Sequence, residues 1–209
     1  MPVRDLAPTR IAVLELGEER ATAREGYALL DEKRMMLAAR ILALLGRHAA
    51  ELDGWRSALA AADEALRAAF DRHGVRDLEL EPSGDPSAMP ALREERLLGV
   101  RVPTVAADAA AADGAIAGAP SSAEPLSPEA GRAAEAFRAL LSLAPRLAAL
   151  ECALWRLADE YRRTERRAGA IEHLLLPELE RDIAEIEGAL EAIDQEEAQR
   201  VRRARRGPH

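Results

Sequence analysis

The chain has 209 residues, 32% of them charged, a formal net charge of −8 and only two each of Trp, Tyr and Phe. So few aromatics cannot fill an ordinary globular core of this size, and a chain dominated by Ala, Leu, Glu and Arg has the profile of long helices whose core is a seam. The negative field repels nucleic-acid phosphates, the lone Cys152 rules out an internal disulfide, and no run approaches the length of a membrane-spanning apolar helix.

Residues 1–8 read as a tail without the apolar core of a secretory leader, which predicts a soluble, cytoplasmic protein. Lys33 is the only lysine, an arginine bias of the kind that GC-rich bacterial genomes impose.

The first helix is expected over 9–74. Pro8 cannot lie inside it, and the Thr9 hydroxyl is placed to cap its first amides. Arg72, His73 and Gly74 form a C-terminal signal: cations at the negative end of the helix dipole, then a residue that tolerates positive φ. Apolar or small residues recur at Leu30, Leu37, Ile41, Leu44, His48, Leu52, Trp55, Leu59, Ala62 and Leu66. Alternating steps of three and four are the heptad seam of a coiled coil. The consecutive four-residue steps around His48 make an eleven-residue unit, which locally unwinds the supercoil.

The middle, 75–127, reads differently. V-R-D-L-E-L-E over 75–81 and L-G-V-R-V-P-T-V over 98–105 alternate apolar and polar residues, so a short β-hairpin is expected with Pro82–Pro86 as turn chemistry. Pro103 suits an edge strand. The run 106–125, made of Ala, Gly, Ser, Pro and acidic residues with little large apolar content, predicts a flexible loop.

The second helix is expected over 128–206, with Ser127 as N-cap and Pro128 at the first helical position, followed by a short tail at 207–209. Its stripe runs through Leu140, Leu143, Leu147, Leu150, Leu154, Leu157, Tyr161, Thr164, Ala168, Ile171, Leu175, Leu179, Ile183, Ile186, Leu190 and Ile193. Pro145 and Pro177 inside it predict kinks, and the change of period at Leu175–Leu179–Ile183 coincides with the second. Two such stripes must be covered, because each buried Leu contributes roughly 1.5–3 kcal/mol. The fold class is therefore all-α, a long antiparallel two-helix coiled coil with a short β-hairpin and loop region between the helices. Periodicity alone leaves a parallel homodimer open.

The opening Pro8-Thr9-Arg10, Leu14-Glu15-Leu16 and Gly26-Tyr27-Ala28-Leu29-Leu30 resembles the first helix of the D subunit of V-type and A-type ATPases. Gly99-Val100-Arg101-Val102-Pro103 resembles that family's middle region. Arg166-Arg167-Ala168-Gly169-Ala170-Ile171-Glu172 through Pro177 is similar to its R-R-V-N-A-L-E run, with Gly169 in place of the usual Asn. The resemblance implies a central rotor shaft that couples ion transport to ATP synthesis or hydrolysis. The implied partners are the small F subunit, the catalytic A and B subunits and the socket subunit (C/d) above the membrane ring, with the membrane reached only through the complex. It implies no cofactor and no catalytic residue. The interaction residues would be Arg10, the cluster Arg162, Arg163, Arg166, Arg167, then Glu172, and the basic tip Arg202, Arg203, Arg205, Arg206.

Plainer readings stand beside this one. A run of arginines is most often a solvated face. Cys152 and Trp155, a helical turn apart, read as packing residues. His48, His73, His173 and His209 lack the spacing of a metal site, and no phosphate loop or nucleophile motif is present. The rival function is a generic coiled-coil scaffold or secretion-apparatus stalk, possibly a parallel homodimer.

Overall fold

A computed structural model describes residues 7–78, 92–105 and 127–205. Its elements are α1 (Arg10–Leu78), β1 (Leu92–Leu97), β2 (Val100–Val105), α2 (Pro128–Ala170), a π-helical turn (Ile171–Leu175) and α3 (Leu176–Arg205). The fold is all-α apart from the hairpin between two long helical stretches. Chain contacts group into two units, residues 1–36 with 162–209 and residues 37–161, and within each the two stretches pair antiparallel.

In the first unit the seam is Ala12, Leu16 and Ala23 of α1 against Leu179, Ile183 and Ile186 of α3, flanked by half-buried Val13, Ile171, Leu175, Leu176 and Leu190. The heptad that runs Leu30, Leu37, Leu44 in the sequence thus extends back to Ala23 and Leu16 in steps of seven. Thr9 caps α1: its Oγ1 accepts from the Ala12 amide at 3.2 Å. Thr164 and Ala168, both 1% exposed, continue the buried stripe on α2.

In the second unit Leu37, Leu44, Ala153 and Leu157 close on Val102 of the hairpin, with Ile41, Leu97, Leu98, Val100, Leu150, Leu154 and Tyr161 around them. Farther along, the buried positions are mostly small: Ala62, Ala69, Ala130 and Ala133 beside a single Leu140. Alanines there let two helices lie close without a third layer. Ser127 caps α2, its Oγ accepting from the Ala130 amide at 3.1 Å while its carbonyl receives the Gly131 amide at 2.9 Å.

Three expectations change. The segment beginning at Val75 is a helical turn through Leu78 and is not a strand; Gly74, at φ 72, takes the positive φ expected of it and breaks the regular helix, so that α1 reaches Leu78 only across this kink. The hairpin instead pairs Leu92–Leu97 with Val100–Val105, register Leu97↔Val100 to Leu92↔Val105, and Leu98–Gly99 form its turn. Both turn residues have positive φ (50 and 85), the geometry of a two-residue hairpin turn that suits right-twisted strands. Near Pro177 the structure places a π-turn, and α2 runs through Pro145 without interruption. The turn expected at 82–86 and the loop expected at 106–125 lie outside the described residues, as do 206–209.

Candidate interaction surface

The basic residues marked out by the sequence fall on exposed helix faces. On α2, Thr164 and Ala168 point into the seam, so at 100° per residue Arg162 and Arg166 lie nearly opposite it, with Arg163 and Arg167 to one side. All four are exposed, and no salt bridge within the described residues engages Arg162, Arg166 or Arg167. Arg10 is 82% exposed and sits 3.8 Å from Asp194 of α3, which ties the start of α1 to α3. Arg24 and Glu180 make a second cross-helix pair at 2.9 Å in the same unit. Exposed pairs of this kind contribute about 0–1 kcal/mol each, so they set register more than stability.

Glu172 lies in the π-turn. It lies close to Tyr27 of α1. Partial desolvation, then the neighbouring Glu172 charge, raise the Tyr27 phenol above its ordinary range. Glu172 thus faces the partner helix as well as solvent, with His173 Nε2 3.8 Å away.

Arg202, Arg203 and Arg205 are exposed in the last turns of α3; Arg206 is outside the described residues. Every residue from Glu191 to Arg205 is exposed, Ile193 and Val201 included. The α3 seam ends near Leu190, and beyond it the helix presents apolar and basic side chains that no other described element buries. The arginines sit where the helix dipole is negative, which favours them there. The structure does not join this tip to the Arg162–Arg167 cluster in one patch.

Two features of the second unit leave no mark in the sequence pattern. Arg40, Arg47 and Arg146, with Glu51 and Glu95, rim a cavity of about 350 Å3 floored by Leu44, Val102 and Leu150. Nothing in the spacing of those arginines shows that a hairpin will cross them. Arg156 clamps that hairpin: its Nη1 donates to the Arg101 carbonyl at 2.8 Å and lies 3.8 Å from Glu94. Trp155, read as packing, is instead 71% exposed, and Cys152 is half-buried. Leu42 is 69% exposed. Large apolar groups left open on charged helices are the kind of surface that another protein covers.

Among the described residues no three His, Cys, Asp or Glu converge on a metal position, and no helix is long and apolar enough to cross a membrane. Paired antiparallel helices with a sealed seam, a clamped hairpin and a bare basic tip define a helical-hairpin protein whose chemistry lies on its outer faces.

Known proteins share this chain's sequence over nearly its whole length. The family model for the ATP synthase D subunit matches residues 12–206, and the chain belongs to that family. It is 36% identical to the V-type ATP synthase D subunit of Anaeromyxobacter dehalogenans (strain 2CP-1) over 95% of each chain. It is 29% identical to the A-type ATP synthase D subunit of Thermococcus kodakarensis over 96% of this chain and 94% of the relative. A similar protein in Thermotoga neapolitana, a V-type ATP synthase D subunit, is 28% identical over 95% of this chain and 96% of the relative.

Proposed function

We propose that this chain is the central-stalk rotor of a V/A-type rotary ATPase, carrying torque between a membrane ring and a catalytic A/B hexamer and contributing no catalytic group itself. The observation that carries the reading is the family match from residue 12 to residue 206, which spans both helical stretches and the hairpin together. The geometry supports it. Torque transmission needs stiffness along paired helices and an asymmetric surface, and it needs no reacting side chain. The seam of Leu37, Leu157, Leu179 and their neighbours supplies the first. The hairpin, covering one side of the second unit, and the one-sided arginines supply the second.

On this reading the bare tip from Glu191 onward and the cluster Arg162, Arg163, Arg166 and Arg167 meet acidic surfaces of the surrounding hexamer. The hairpin side faces the smaller F subunit of the stalk and the socket above the ring. The complex holds the chain in the cytoplasm at the membrane. The test is co-purification of the tagged chain from its native host, with the accompanying proteins identified by mass spectrometry. Recovery of the A, B and F subunits is the expected result. Recovery of the chain alone, or as a homodimer with unrelated partners, overturns the proposal.

A further inference from the structure

The π-turn between α2 and α3 has a composition that its role as a simple connector does not require. Within Ile171–Leu175 the Leu176 amide donates to the Ile171 carbonyl five residues back, where an α-helix would reach four. One residue later Pro177 has no amide to offer the His173 carbonyl, so the α ladder cannot close across this point. None of the five residues is buried; Leu174 is 69% exposed. The seam is therefore thinnest where the ladder is already open, while Thr164 and Ala168 before it and Leu179, Ile183 and Ile186 after it are buried.

The neighbours point the same way. A Cβ on Gly26 of α1 would lie 4.0 Å from Ile171 Cδ1, and one on Gly169 would lie 3.9 Å from the His173 ring. With glycine at both positions the space beside the turn stays open, and a Cβ there would add only ordinary van der Waals contact.

We infer that the π-turn is a built-in compliant joint in the second helical stretch, opened by Pro177, which breathes locally while the seam on either side stays shut. Local opening costs least where few apolar contacts must break and where the backbone ladder is incomplete, and both conditions meet at 171–176. The joint does not depend on the rotor reading, since it rests on this chain alone.

Hydrogen–deuterium exchange on the full chain tests it. Amides 172–176 should exchange at least about tenfold faster than amides 164–168 and 179–186. Pro177→Ala restores the missing donor and should slow exchange at 172–178 by about tenfold, with the flanks unchanged. Equal protection across 164–186 in the natural chain, or a turn indifferent to Pro177→Ala, overturns the joint. Pro177→Ala raises helix propensity, so loss of folding does not obscure the result.

Discussion

Arg72 Nη1 donates to Glu129 Oε2 at 2.9 Å, closing the second unit between the turn of α1 just ahead of the Gly74 break and the start of α2, 57 residues apart in sequence. Glu129 also accepts from Arg132 at 3.1 Å. Its own backbone amide at the free N-terminus of α2 is the largest influence on its carboxyl. Arg72, Ser127 and Arg132 add to that effect, and together they hold the group below its ordinary range against the opposing effect of partial burial.

A carboxyl depressed in the folded state stabilises the fold above the unfolded-state range near 4.5 and loses that contribution as pH falls through the folded value. Glu129→Gln should therefore melt at a lower temperature than the natural chain at pH 7. The gap should narrow steadily as melts are repeated below pH 4.5, and a gap that widens on acidification contradicts the assignment.

Leu37 and Leu157 are fully buried in one cluster. Replacing either by Ala should cost about 2–5 kcal/mol in denaturant unfolding, the transfer term plus the cavity left behind. The double variant should fall short of the sum because the two share neighbours. Leu42→Ala, at 69% exposure, should change stability by less than about 0.5 kcal/mol. Equal costs at Leu37 and Leu42 would mean that the seam is not where the structure puts it.

Gly74 and Gly54 should respond with opposite signs. At φ 72 Gly74 occupies the left-handed region, so Gly74→Ala should destabilise by about 1–2 kcal/mol. Gly54 lies inside α1 with nothing within 4 Å of the position a Cβ would take, so Gly54→Ala should stabilise by about 0.5–1 kcal/mol. Thermal melts of the two variants side by side decide it.

The seam was legible because burial imposes steps of three and four, and Leu37, Leu44, Ala62, Leu157, Leu179 and Ile183 all sit where that spacing put them. The caps were legible too, since Thr9 and Ser127 act on amides three residues ahead. Strand β1 was not. Its L-R-E-E-R-L is exposed at five of six positions, so no alternation marks it, and it forms because β2 anchors Val102 in the core and Arg156 holds the ribbon down. The alternation from Val75 was a false signal: its first four residues belong to a helical turn resumed after Gly74. Pro177 and the change of period marked the place of the π-turn but not its kind, since a kink and a widened turn both relieve a missing donor. The arginines were legible as positions and not as contacts, because a partner absent from the chain leaves no trace in its spacing.

The bare tip offers a functional prediction. With Arg202, Arg203, Arg205 and Arg206 all replaced by Glu, the isolated chain should keep its seam and fray at most in the last turns of α3, where the dipole disfavours acids, since the seam ends near Leu190 and Arg202, Arg203 and Arg205 are exposed. In the assembled complex, ion pumping per ATP hydrolysed should fall. Unchanged pumping contradicts a role for the basic tip in coupling.

The proposed rotation of this chain can be tested directly. With Cys152→Ser to remove the native thiol and Glu95→Cys to place a single one on the exposed hairpin, a bead can be attached to the chain in complexes immobilised through their A/B hexamers. A rotor shaft should carry the bead round continuously in one direction when ATP is supplied. A bead that stays fixed while those same complexes hydrolyse ATP would show that this chain is not the shaft.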